Sequence, residues 1–70
     1  MYDLTFKARL TSTGAEAQLP PFRFTDEQDA IQTFEAAKQA GIDSLVEGEE
    51  RSLTLTDPEG NIIREWDSAE

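Results

Sequence analysis

Seventy residues with 37% hydrophobic side chains, among them four Phe, one Trp and one Tyr, suit one small domain (residues 1–70) built on a single core and exclude a disordered acidic tail. Fifteen acids against six bases give a formal net charge of −9, which excludes binding to nucleic acid or to an anionic membrane by bulk electrostatics. With no Cys and no His, disulfides, thiolate chemistry and the commonest zinc and copper ligand are excluded too, and a cytoplasmic setting is expected.

The segment from Tyr2 to Leu10 alternates. Tyr2, Leu4, Phe6, Ala8 and Leu10 fall on one face, and Asp3, Thr5, Lys7 and Arg9 on the other, the pattern of a half-buried strand. Residues 11–16 hold Ser, Thr and Gly14 and read as a turn. A second strand is expected between Ala15 and Phe24, with Leu19, Phe22 and Phe24 inward. Pro20-Pro21 breaks it, because proline has no N–H to give a ladder. Thr25 or Asp26 caps a helix at a capping-box match, Thr25-Asp26-Glu27-Gln28. Ala30, Ile31, Phe34 and Ala37 then share one helical face, opposite Gln28, Gln32, Glu35 and Gln39. Gly41 stands where a left-handed C-cap belongs, with Ile42 folding back on Ala37. Leu45 and Val46 suggest a short strand, and Glu47-Gly48-Glu49-Glu50 a turn. Residues 51–56 form a strand with Leu53 and Leu55 on one face. Asp57-Pro58-Glu59-Gly60 is a strong hairpin signal, and residues 61–66 return. Residues 67–70 are expected to fray. The fold class expected is α+β: an antiparallel sheet of four or five strands with one helix packed on one face, in the order ββαββ or ββαβββ.

Two registers suit the last hairpin. A four-residue loop sets Leu55 opposite Ile62 and Arg51 opposite Trp66, and puts Ile62 and Trp66 in the core. A three-residue loop with a bulge at Gly60 sets Leu55 opposite Ile63 and Ser52 opposite Trp66. Ile62, Arg64 and Trp66 then line the open face of the sheet. Gly60 suits the left-handed position of the bulged turn, which favours the second register. An exposed Ile62–Trp66 stripe around Arg64 is a candidate binding centre. Against it stands the plainer role of Trp66 as a cap on the edge of the core.

Little here supports catalysis. Paired carboxylates are the only catalytic chemistry this composition allows, and no cleft is expected to hold a substrate between them in so small a domain. The Asp57–Asn61 stretch lacks the spacing and the closing Glu of an EF-hand loop. No enzyme activity, cofactor or metal is therefore expected. The charge is more informative. Residues 1–25 carry two acids and three bases, and residues 26–70 carry the other thirteen acids against three bases. Asp26, Glu27 and Asp29 complement the dipole of the helix start. The remaining excess surrounds the last hairpin. The candidate contact residues are accordingly Glu47, Glu49, Glu50, Asp57, Glu59, Ile62, Arg64, Glu65, Trp66 and Asp67. The expected function is a small acidic binding protein that occupies a basic, nucleic-acid-binding surface of a partner protein. By analogy of size and charge alone, it would act like the phage inhibitors of nucleases and CRISPR effectors. The alternative is a structural or adaptor domain that self-associates, or binds through an edge strand or the open sheet face, as a monomer or homodimer. Neither direct nucleic-acid binding nor membrane binding is expected.

Overall fold

In a computed structural model, the alternating N-terminal segment is the long strand β1 (Tyr2–Leu10), and the rest of the sheet is assembled on it. The structure describes residues 1–68. Along one edge of β1 lie two short strands, β2 (Glu16–Gln18) and β3 (Phe22–Phe24). Lys7, Ala8 and Arg9 pair with Gln18, Ala17 and Glu16, while Tyr2, Asp3 and Leu4 pair with Phe24, Arg23 and Phe22. The pair Pro20-Pro21 separates them, so β2 and β3 form the broken edge strand expected from the sequence. Along its other edge, β1 pairs antiparallel with β4 (Glu49–Thr56), from Asp3 opposite Thr56 to Leu10 opposite Glu49. The far edge is β5 (Ile62–Asp67). With helix α1 (Glu27–Ser44), the order is βββαββ: a five-stranded antiparallel sheet with one helix on it.

The core is small. Leu4, Ala30, Phe34, Leu53 and Leu55 are buried, and Tyr2, Phe6, Phe24, Ile31, Ala37, Ile63 and Trp66 pack around them. Each fully buried Leu or Phe contributes about 1.5–3 kcal/mol, so few residues carry this domain's stability.

Helix α1 departs from expectation at both ends. Asp26 is the N-cap, with extended backbone, and its carbonyl accepts the amide of Ala30 at 3.1 Å; no side-chain cap bond forms, so the capping box is not realised. At the other end the helix runs through Gly41 to Ser44. Gly41 is helical and buried against Trp66: a Cβ there would lie 3.2 Å from Cζ3 and 3.3 Å from Cη2 of the indole. Its bare backbone serves close packing, not a C-cap. Ile42 therefore stays exposed instead of folding back on Ala37. Leu45 and Val46 form no strand; they belong to the loop into β4, whose only turn residues are Glu47 and Gly48. Ser68 still bonds Arg51, amide to carbonyl at 2.9 Å, so residues 67 and 68 are held in place; Ala69 and Glu70 lie outside the described residues.

The last hairpin follows neither register throughout. Its turn is the three-residue one: the amide of Asp57 donates to the carbonyl of Asn61 at 2.9 Å, and Gly60 takes φ +89°. Asp57 Oδ1 accepts the amides of Glu59 at 3.0 Å and Asn61 at 2.8 Å. Thr56 then faces Ile62, as that turn requires. A second irregularity between Leu55 and Thr56 inserts one residue of β5, after which Leu55 faces Arg64 and Leu53 faces Trp66. One extra residue turns the rest of the strand over. Ile63 and Trp66, three apart, can thus both reach the core. Only Ile62 remains fully outward, 57% exposed beside Thr56. The expected Ile62–Arg64–Trp66 stripe on the open face is not formed. Among the described residues, no helix is long and apolar enough to cross a membrane.

Candidate binding surface

Pleat alternation sorts the sheet into two faces. The helix covers the face of Leu4, Phe6, Leu53 and Leu55. The open face carries Asp3, Thr5, Lys7 and Arg9 of β1 with Glu50, Ser52, Thr54 and Thr56 of β4. At one end of the sheet, the start of α1 and the turn after β4 meet around Tyr2. The Tyr2 hydroxyl donates to Glu27 Oε2 at 3.4 Å. Its phenol is pushed above the ordinary 10.0, first by desolvation and then by the negative charge of Glu27, Asp57 and Asp26. Asp57 is held below its ordinary 3.8, chiefly by the backbone amide of Asn61, with added bonds from the Asn61 side chain and the amides of Glu59 and Gly60. Carboxylates distant in sequence thus share one acidic pole, with Asp29 and Glu59 close by in the chain.

The hairpin-centred contact set does not come together as one surface. Glu49 and Glu50 are consecutive in β4 and point to opposite faces, so Glu47-Gly48-Glu49-Glu50 is not an acidic turn. Each of the two is neutralised: Glu49 by Arg51 on its own strand, and Glu50 by Arg9 at 2.5 Å across the open face. Glu47 stays in the loop. Asp57 and Glu59 belong to the acidic pole, with Ile62 beyond the turn. Glu65 and Asp67 lie on the open face among Thr5, Lys7, Gln18, Ser52 and Thr54. Arg64 is exposed and donates through Nη1 to the carbonyl of its neighbour Ile63 at 2.7 Å. Trp66 lies on the helix face. Among the described residues, no three acids converge as a metal ligand set would.

A feature that sequence reasoning missed lies under the second half of α1. The helix touches β1, β3, β4 and β5 but not β2, which leaves part of the sheet face uncovered. The result is an open trough of about 540 Å³. Ala37, Ala40, Gly41 and Ser44 of the helix form one wall, and Ala17 and Leu19 the other; Phe6, Ala8, Leu53 and Trp66 lie between. It is an open surface groove, not a deep enclosed pocket. Leu19 and Phe22 face the helix side as expected, yet they are 54% and 51% exposed because the helix does not reach them. Phe22 meets Phe6 edge-on, with ring centroids 5.4 Å apart. Arg51 closes one end of the trough, donating through Nη1 to Ser44 Oγ at 2.8 Å. The sequence signal was available: Ala37, Ala40, Gly41 and Ser44 line one flank of the helix, and Ala8 and Ala17 face each other on adjacent strands.

No family model, curated protein or solved structure matches this chain. Its function must be read from its own surface.

Proposed function

We propose that this is a non-catalytic binding protein that occupies a basic surface of a partner protein and keeps other ligands from it. The observation that carries this reading is the way charge is distributed between internal pairs and the surface. Among the described residues, three of the six bases are committed to ion pairs with this chain's own acids: Arg9 with Glu50, Arg23 with Asp3, and Arg51 with Glu49. The acidic pole around Tyr2 holds Asp26, Glu27 and Asp57. What the molecule presents outward is thus largely carboxylate. A protein surface rich in Lys and Arg commonly exists to meet a phosphate backbone. A compact acidic domain would be steered to such a surface and would compete with nucleic acid for it, in the manner of an anti-defence or anti-CRISPR inhibitor in the cytoplasm.

Competition tests this. The purified protein is titrated into complexes of nucleic acid with nucleases and CRISPR effectors, at about 50 mM and about 200 mM salt. Displacement of the nucleic acid is expected at the lower salt, weakened at the higher salt and weakened again by reversing Asp29, Asp57 and Glu59 to Lys. Displacement that ignores both salt and charge reversal would sink the reading. The alternative, an adaptor that pairs through an edge strand, has in its favour the position of β5 as the last strand of the sheet among the described residues. The bulge in β5 and its Glu65 and Asp67 oppose strand addition between two copies.

A further inference from the structure

We propose that the trough beneath the C-terminal half of α1 is the contact face of a homodimer, with a second copy of this chain seated on it across a two-fold axis. This inference goes beyond the acidic reading and stands or falls without it.

The molecule shows more surface than its mass calls for. A folded monomer of 7.8 kDa exposes about 4,400 Å². This chain exposes 4823 Å². Its radius of gyration is 12.4 Å, against about 11 Å for a compact chain of 70 residues. The excess of roughly 400 Å² is about half of what one partner buries in a standard interface of about 800 Å² a side. The uncovered part of the sheet is where that surface is apolar. Leu19 lines the trough, Leu10 lines a smaller hollow that continues it past Ala8 and Ala17, and Phe22 lies beside them; all three are about half exposed on the helix side of the sheet.

Shape and charge both select a second copy. Ala37, Ala40, Gly41 and Ser44 give the trough a helical wall without bulk. Two such flanks, antiparallel about a two-fold axis, approach closely, and each α1 then fills part of the sheet face that the other leaves bare. Leu19, on the opposite wall, reaches the partner's helix. The net −9 of the chain is not carried here. Lys7 and Arg51 stand against Glu49 in the trough, and the hollow adds Arg9 against Glu16. Even with Asp43 and Glu47, which lie within two residues of the lining residues Ser44 and Glu49, three bases meet four acids. A face with both signs in near balance is complementary to itself when turned about a two-fold axis, and it gives a strongly basic or acidic partner nothing to select. The acidic pole around Tyr2 lies about 13–20 Å along β1 from Phe6 to Ala8, beyond the Debye length of about 8 Å, so it opposes this contact weakly.

Sedimentation equilibrium of the purified chain, from about 1 μM to about 1 mM, tests this. The mass is expected to double across that range. Trp66 is the only tryptophan and lines the trough, so its emission should change over the same range. The variant L19Q/A40Q alters both walls at exposed positions without changing the charge, and should weaken the dimer about tenfold or more. The control I62Q alters an exposed apolar residue on the open face and should leave the dimer unchanged. Circular dichroism checks that both variants fold. Because the contact is near neutral while each copy carries −9, raising salt from about 50 mM to about 200 mM should tighten the dimer by screening the repulsion between copies. Monomer mass throughout, or a dimer that folded L19Q/A40Q leaves intact, would overturn the proposal. So would a dimer that weakens as salt rises, or one lost in I62Q. The acidic reading is judged separately, by the nucleic-acid competition, whose salt dependence has the opposite sign.

Discussion

The second bulge of the last hairpin makes a prediction that separates this fold from the one its turn alone would build. Trp66 packs against Gly41 and the core, whereas Ile62 stands 57% exposed on the open face. Truncating a buried Trp or Phe to Ala costs about 3–5 kcal/mol, and Trp66 is only partly buried, so W66A is expected to cost about 2–3 kcal/mol. Ile63 also packs on the core from a partly buried position, and I63A should cost about 1–2 kcal/mol. Removing the outward Ile62 should cost less than about 0.5 kcal/mol. A 70-residue domain has about 4–10 kcal/mol of stability in all, so W66A alone removes a large share of it. The assay is urea unfolding followed by far-UV circular dichroism, which still works once the tryptophan is gone. Were the strand in the single-bulge register, Trp66 and Ile62 would share the open face and both truncations would be mild. A W66A cost at or below that of I62A would refute the second bulge and the packing built on it.

Further expectations concern Gly41 and the acidic pole. G41L drives a side chain into the space held by the indole and should destabilise by about 1–3 kcal/mol, the usual cost of overpacking, with a change in Trp66 emission that a remote helix substitution such as Q32L would not cause. Spectrophotometric titration of Tyr2, the only tyrosine, should place its phenol above 10.0, and D57N should bring it back toward that value; no change in D57N would mean that Asp57 does not face Tyr2. A raised Tyr2 adds stability that is full below 10.0 and is lost as pH climbs through the folded-state value. For Asp57 the sign is opposite. Its folded-state value is depressed, so its contribution is present above 3.8 and is lost as pH falls through the folded value. D57N should flatten the acid limb of the stability curve below 3.8, measured by urea melts at stepped pH.

Much of the fold was legible from local chemistry. The alternation of residues 2–10, the proline break at Pro20-Pro21, the apolar face around Ala30 and Phe34, and the Asp57–Gly60 turn each state their own structure. Where the reading failed, a tertiary contact outweighed a local signal. Gly41 looks like a helix terminator until Trp66, 25 positions later, is seen to require it bare. The hairpin turn sets the pairing of Thr56 with Ile62, but nothing in the turn announces a bulge one residue further on. The site fared worse for a related reason. Glu49 and Glu50 are neighbours in sequence and so read as a cluster, yet strand pleating sends them apart and places an arginine beside each. Conversely, Asp26, Glu27 and Asp57 are about thirty positions apart and meet only because β1 seats the helix start beside the turn.

The acidic pole lies at the Tyr2 end of β1, whereas the trough lies along the strand from Phe6 to Ala8. Four to six residues of strand, about 13–20 Å, separate Tyr2 from that stretch, along a molecule 37 Å in its longest dimension. That separation exceeds the Debye length of about 8 Å at physiological salt, so charges at the pole contribute little at the trough. The two surfaces therefore act as independent contributions to any partner that spans them. Binding that disappears with salt and with D57N belongs to the pole. Binding that persists in salt and disappears when Leu19 and Ala40, exposed on the two walls of the trough, are both changed to Gln belongs to the trough. A partner that uses both would lose affinity in each variant by amounts that add in free energy, because the two sites share no contact through which they could couple.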